Sequence, residues 1–261
     1  MAEIKSTALQ GGFGRTRRRD AWWVESLPVW ILLGGFGIYA TLRAFEGRFF
    51  DCLHEIGVTA HRPYLSPFYS PLIDPQHHFW QWSPALLILI FPLGFRMTCY
   101  YYRKAYYRAF FFDPPACAVG EPLSRKYKGE TKFPFILQNL HRYFFYFAII
   151  FIVFLWKDTV EAFWLDGHFF IGVGSLVFLV NIILLSLYTF SCHSWRHLVG
   201  GKLDCFSCTA ANKSRHGLWK KFSFLNERHM LFAWCSLVSV GFADFYVRMV
   251  ASGLIKDIQI L

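Results

Sequence analysis

The chain has 261 residues, of which 55% are hydrophobic, 20% are aromatic and only 17% are charged. An ordinary globular chain carries about 25% charged residues, so this composition excludes a typical soluble domain. The formal net charge is +10, which in a soluble protein would suggest nucleic acid as a partner. Here the basic residues lie in loops between apolar stretches. We therefore expect the chain to be surrounded by membrane lipid and to bind no nucleic acid.

Five apolar stretches have about the length that crosses a bilayer core of roughly 30 Å. They are predicted at about residues 27–45, 83–102, 138–156, 168–190 and 229–251. Pro92 should kink the second span, and Arg96 near its end can extend toward the membrane interface. We therefore predict an all-α, polytopic transmembrane helical bundle that forms one domain over residues 1–261. The polar, basic N-terminus shows no cleavable signal, so the first span is expected to act as the insertion signal.

The orientation follows from the distribution of lysine and arginine. Residues 1–26, 103–137 and 192–228 contain 5, 7 and 7 of them, which is 19 of the 27 in the chain. Because basic loops stay on the cytoplasmic side, these three segments are predicted to face the cytoplasm. The N-terminus is then cytoplasmic and the C-terminus lies outside.

The predicted cytoplasmic loop 192–228 contains the most informative residues. His193 and His197 are four residues apart, so they share one face if the fourth helix continues by a turn. Cys205 and Cys208 have the C-x-x-C spacing with which two thiolates can share one iron or zinc ion. A glycine pair at residues 200–201 lets the chain turn between the two halves.

Three interpretations of this loop compete. The residues are unligated, or they hold a structural zinc ion, or they hold a [2Fe–2S] cluster with two cysteines on one iron and two histidines on the other, which is Rieske ligation. Cys192 adjoins the histidines and is an alternative ligand. A loop in the reducing cytosol is not expected to contain a structural disulfide.

Haem b is the rival cofactor. A haem in a helical bundle needs two histidines that face each other from different helices. His141 and His229 open spans three and five on the predicted cytoplasmic side, and His78 and His168 lie near spans two and four on the outer side. Because the middles of spans one to three contain no histidine, we expect no haem.

Other polar residues near the membrane surface could bind a quinone. Arginine, histidine and tyrosine at the interface can hydrogen-bond a quinone carbonyl and supply protons during its reduction. The candidates are His141, Arg142, Tyr143, Arg228 and His229.

Span five also contains two charged residues. Asp244 and Arg248 are four residues apart, so they can pair with each other and need no ligand. An intramembrane carboxylate is nevertheless a default candidate for proton transfer.

The run LYTFSCHSWRHLVGGK at residues 187–202 resembles the membrane anchor of succinate dehydrogenases, and more narrowly that of the actinobacterial type. The resemblance implies a membrane-embedded Rieske-like [2Fe–2S] cluster in place of haem. It also implies a flavoprotein subunit and an iron–sulfur subunit docked at the cytoplasmic face of a bacterial inner membrane.

The sequence supports three hypotheses of function. The first is an anchor that passes electrons from the iron–sulfur subunit through the cluster to a quinone, menaquinone or ubiquinone, with no enzymatic activity of its own. The second is a dihaem cytochrome b anchor of the same enzyme family. The third is a zinc-stabilised membrane scaffold or a transporter without redox chemistry.

Overall fold

The computed structural model of the protein describes residues 12–53, 61–73, 82–122, 131–133 and 135–261. Its long helices are α1 (Trp22–Glu46), α2 (Pro84–Met97), α3 (Tyr100–Phe111) and α4 (Phe135–Glu161), followed by α5 (Val173–Phe190), α6 (His193–Gly200), α7 (Ala210–Glu227) and α8 (His229–Ala251). A two-stranded hairpin, β1 (Trp164–Leu165) and β2 (His168–Phe169), separates α4 from α5. The predicted all-α, polytopic bundle is confirmed.

Four helices within the described residues are long and apolar enough to cross a membrane, namely α1, α4, α5 and α8. The pair α2 and α3 also passes this test when it is counted as one broken span, which gives up to five spans. Helix α8 matches its predicted limits, and α1 and α4 contain theirs. The large exposed apolar side chains on these helices are what a lipid-facing surface requires.

Two predicted boundaries were wrong. Helix α2 ends at Met97 rather than near residue 102, and Thr98 and Cys99 interrupt the helix before α3 begins. Span four was expected to start at His168, but His168 lies in the exposed hairpin and the helix starts at Val173. Gly167 has a positive φ of 79°, which suits the tight turn of the hairpin and not a helix.

The segment 192–228 was predicted as a loop, and this was also wrong. It contains the short helix α6 and the 18-residue helix α7. Helix α7 is amphipathic: its Trp219 and Phe222 are partly buried, whereas Lys213, Lys220 and Lys221 are exposed. Because only one side of α7 is apolar, the sequence has no long apolar run that would mark it as a helix.

The contacts divide the chain into two compact units, residues 1–38 with 97–139 and residues 39–96 with 140–261. The core of the second unit lies between α5 and α8, which pack against each other. Ala233 and Ala243 are fully buried on α8, and small side chains such as these allow two helix backbones to approach closely in a membrane. The candidate site lies at one end of this core.

Candidate functional site

A histidine and a cysteine from different helices meet at the end of the second unit. Nε2 of His141 in α4 lies 3.1 Å from Sγ of Cys192. Cys192 is 2% exposed and caps the start of α6, where its sulfur accepts the backbone N–H of Ser194 at 3.4 Å. The ring of Phe95 in α2 stacks on the His141 ring at 4.8 Å. An imidazole and a thiol are thus held together away from water.

A second histidine, His229, starts α8 and is 2% exposed. A hydrogen bond of 2.7 Å joins its Nδ1 to Oγ of Ser191, and its ring stacks on Tyr188 at 5.0 Å. The side-chain amide of Asn226 in α7 donates to the Ser191 carbonyl at 2.8 Å. These contacts fix both the position and the orientation of the imidazole.

Arg96 brings a positive charge to the same region. Its guanidinium lies over the Tyr188 ring at 4.7 Å and donates to the Ala233 carbonyl at 3.2 Å and to Ser236 Oγ at 3.1 Å. The side chain therefore points into the bundle, and the expectation that it extends to the membrane interface was wrong. A cation held here favours any group that gains negative charge nearby.

The two histidines predicted as metal ligands lie elsewhere. His193 and His197 are both exposed on α6, with ring centroids 6.4 Å apart, as their spacing of one helical turn requires. Partial burial, with the nearby charges of Arg196 and His197, lowers the pKa of His193. A neutral imidazole is the form that binds a metal.

The two predicted cysteine ligands are bonded to each other. Cys205 and Cys208 form a disulfide between α6 and α7, in a segment where no structural disulfide was expected. Among the described residues, no three His, Cys, Asp or Glu side chains are grouped closely enough to hold one metal ion. The four predicted ligands are therefore not brought together as a single-ion site.

The predicted quinone-binding residues fall into two sets. His141 and His229 point inward, as described above. Arg142, Tyr143 and Arg228 are exposed, Tyr143 by 61%, and the Arg228 guanidinium lies over the Phe224 ring at 4.0 Å. The structure does not bring the five into one cluster.

His168 and His78 were the candidate ligands of a haem on the outer side, and only His168 lies among the described residues. His168 is exposed on β2 and outside any helix. His78 lies outside the described residues.

Sequence reasoning missed the pairing of His141 with Cys192 and the inward position of Arg96. The two members of the pair are 51 residues apart, so no local spacing predicts their contact. The available signal was indirect, because each residue stands at the predicted cytoplasmic end of a span. The ends of neighbouring spans on one side of a membrane lie at a similar depth, so residues at these ends can come into contact.

These features define an integral membrane protein, a bundle of apolar helices with imidazole and thiol groups held at one end of its core. A family model described as "Actinobacterial succinate dehydrogenase subunit SdhC" matches residues 24–253. The chain belongs to this family and is a membrane-anchor subunit of a succinate dehydrogenase.

A solved structure supports the same family. The chain is similar to one in the "Mycobacterium smegmatis Sdh1 complex in the apo form", with 43% sequence identity, coverage of 98% of each chain and a TM-score of 0.81. No curated protein matches the chain.

Proposed function

We propose that this chain anchors a succinate dehydrogenase in a bacterial inner membrane and passes electrons through a Rieske-like [2Fe–2S] cluster to a membrane quinone. The observation that carries the proposal is the partly buried contact of 3.1 Å between Cys192 and His141, in a chain of this family. An imidazole and a thiol are the two ligand types of Rieske ligation. The cluster supplies one-electron transfer at a potential higher than that of an all-thiolate centre.

The described side chains supply part of the ligand set that this cofactor needs. His141, His229 and Cys192 provide two imidazoles and one thiolate from three helices, and all three side chains are largely removed from water. A two-iron cluster spreads its ligands over two metal ions, so these donors need not meet at the distance of one ion. A second thiolate is still required, and substitution in turn of the other cysteines that are buried or partly buried, Cys52, Cys99 and Cys235, would identify it.

The alternative donor set is His193, His197, Cys205 and Cys208. It would need the disulfide to be reduced and two exposed histidines to turn toward it. These four residues are also exposed or partly exposed, so water surrounds the ligands. They would not hold the cluster inside the membrane that the resemblance to the family implies. The buried set is therefore the better supported of the two.

The surrounding residues have distinct roles in this proposal. Ser191 and Tyr188 orient the His229 imidazole by a hydrogen bond and a stacked ring, as partners behind a metal ligand commonly do. The guanidinium of Arg96 stabilises added negative charge, so it raises the affinity of the site for an electron. Phe95 and Tyr188 exclude water from the imidazoles.

The partners belong to the proposal as well. A flavoprotein subunit and an iron–sulfur subunit would dock on the predicted cytoplasmic side of the chain. The exposed cations of α7 suit an acidic docking surface. Electrons would enter from that side and leave to menaquinone or ubiquinone, for which the exposed Arg142, Tyr143 and Arg228 are candidate contacts.

Paramagnetic resonance of the purified complex tests the cluster and its ligands together. Wild-type complex should show a Rieske-like resonance after mild reduction, and Cys192→Ser should lose both the resonance and quinone reduction. Succinate oxidation with an artificial acceptor should persist in this variant, because that reaction uses the flavin and the soluble clusters. Cys117→Ser is the matched control, since Cys117 is an exposed free cysteine.

Three results would contradict the proposal. A Cys192→Ser complex that keeps a full resonance would remove Cys192 from the ligand set. Loss of the resonance in Cys205→Ser would favour the exposed set. A reduced-minus-oxidised spectrum with a stoichiometric b-type band would favour the haem anchor, with His141 and His229 as the first ligands to replace.

A further inference from the structure

The disulfide between Cys205 and Cys208 has no part in the proposed electron path and calls for its own explanation. Only two residues separate the cysteines. The stabilisation that a disulfide provides grows with the length of the loop that it closes. Because this loop is so short, the bond adds little to the stability of the fold. A mainly structural role is therefore a poor explanation for it.

The location of the bond points in the same direction. The disulfide lies on the side that the charge distribution predicts to be cytoplasmic, where thiols are kept reduced. Disulfides that do occur in that compartment are usually transient, either catalytic or redox-sensing. Cys208 is exposed and Cys205 is partly exposed, so a reductant can reach the bond.

The local geometry favours cleavage at one of the two sulfurs. The backbone N–H of Cys208 donates to Sγ of Cys205 at 3.1 Å, and this hydrogen bond stabilises negative charge on that sulfur. Cys208 directly precedes Thr209, which caps α7 by accepting the backbone N–H of Asn212 at 3.1 Å. The start of an 18-residue helix further favours thiolate in this segment.

The segment around the bond is held in place by other contacts. Phe206, between the two cysteines, stacks on His216 at 4.5 Å, and His216 stacks on Trp219 at 5.8 Å. The Asn212 side chain donates to the Cys205 carbonyl at 3.0 Å. A cavity of about 240 Å³ adjoins these residues. Breaking the S–S bond therefore leaves the segment anchored to α7, as a reversible site requires.

We infer that Cys205 and Cys208 form a reversible dithiol–disulfide site, reduced by a cellular dithiol. A thiolate of the reductant attacks Sγ of Cys208, the S–S bond breaks, and Cys205 leaves as a thiolate that the Cys208 N–H stabilises. The second thiol of the reductant then displaces Cys208 and closes the disulfide of the reductant. The protein gains two electrons and two protons, and the reductant loses the same number.

Thiol counting on the whole complex tests this inference. Cells are quenched in acid, open thiols are blocked with N-ethylmaleimide, and thiols released by a reductant are counted with a maleimide mass tag. Wild-type chain from oxidant-treated cells should gain two tags, and the number should fall toward zero in cells under reducing conditions. Cys117→Ser should behave like wild type, whereas Cys205→Ser and Cys208→Ser should gain none.

A titration of the purified, folded complex against dithiothreitol and its oxidised form completes the test. The two tags should appear together along a single two-electron curve, without denaturant. Reduction that requires denaturant would show a structural bond and overturn the inference. A pair that stays reduced in oxidised buffer, or that is shielded until a chelator removes a stoichiometric metal ion, would also overturn it. Loss of the Rieske-like resonance in Cys205→Ser would do the same without affecting the anchor role.

Discussion

Arg248 and Asp244, both buried on α8, form an ion pair with Nε of the arginine 2.9 Å from Oδ2 of the aspartate. Asp244 also accepts the hydroxyl of Tyr39 at 2.6 Å and that of Ser66. Arg248 donates to Glu46 at 3.1 Å. The pairing predicted from their spacing is confirmed, and both charges are saturated with partners, as burial of ions in an apolar core requires.

Removal of one member of this pair should be strongly destabilising. Asp244→Ala leaves the Arg248 guanidinium buried without its main counter-ion, and breaking a buried pair in this way costs about 3–5 kcal/mol. Thermal unfolding of the complex in detergent measures the loss. The control is Lys157→Ala, whose partner Glu161 is in an exposed pair and whose loss should cost at most about 1 kcal/mol. Equal effects of the two variants would contradict this prediction.

The Asp257 carboxylate helps to hold the C-terminal segment, beside backbone hydrogen bonds that join Ile258, Ile260 and Leu261 to Val173 and Ile171. Asp257 accepts the hydroxyls of Tyr64 at 2.8 Å and Tyr246 at 2.7 Å, and the backbone N–H of Gly174 at 3.0 Å. Asp257→Ala should destabilise the fold by about 3 kcal/mol, because hydrogen bonds to charged groups contribute about 1.5–3 kcal/mol each and are not additive. The variant should also make the last residues sensitive to carboxypeptidase. Asp166→Asn, at an exposed turn, is the control and should resemble wild type in both measurements, because asparagine tolerates the positive φ of that residue.

Stability should fall in alkaline solution because of Tyr64. Burial, together with its hydrogen bond to Asp257 and the negative charge there, raises the pKa of Tyr64 above its usual value. The unfolded chain then releases the phenol proton at about pH 10, whereas the folded chain retains it. The folded state binds more protons above that pH, so its stability decreases as the pH rises. Tyr64→Phe should show a shallower loss of unfolding temperature above pH 10, and an unchanged slope would contradict the assignment.

The predicted orientation can be tested by chemical labelling. Single cysteines are introduced in a background that lacks Cys117, one in segment 103–137 and one at the exposed hairpin between α4 and α5. An impermeant maleimide added to intact cells should label the hairpin but not the 103–137 segment. Lysed cells should show labelling at both positions. Labelling of the 103–137 segment in intact cells would reverse the orientation and place the basic segments outside.

The predicted site shows where local patterns stop being informative. The spacing of His193 and His197 correctly placed both on one helical turn, but it could not show that both are exposed. The C-x-x-C spacing correctly brought two sulfurs together, yet a shared metal ion and a direct bond need the same proximity. Arg96 had an apolar context that suits either an interfacial or an inward position, and only its contacts with Tyr188 and Ser236 distinguish them.

The sequence by itself determined the class of protein, because apolar length and the placement of basic residues depend only on the transfer of side chains between water and lipid. It also determined the Asp244–Arg248 pair, because residues four apart on a helix are neighbours in any fold. The tertiary structure alone decided that His141 meets Cys192 and that His229 rests on Tyr188. These contacts join helices that are far apart in the chain, and they depend on how side chains pack between helices, which no local period encodes.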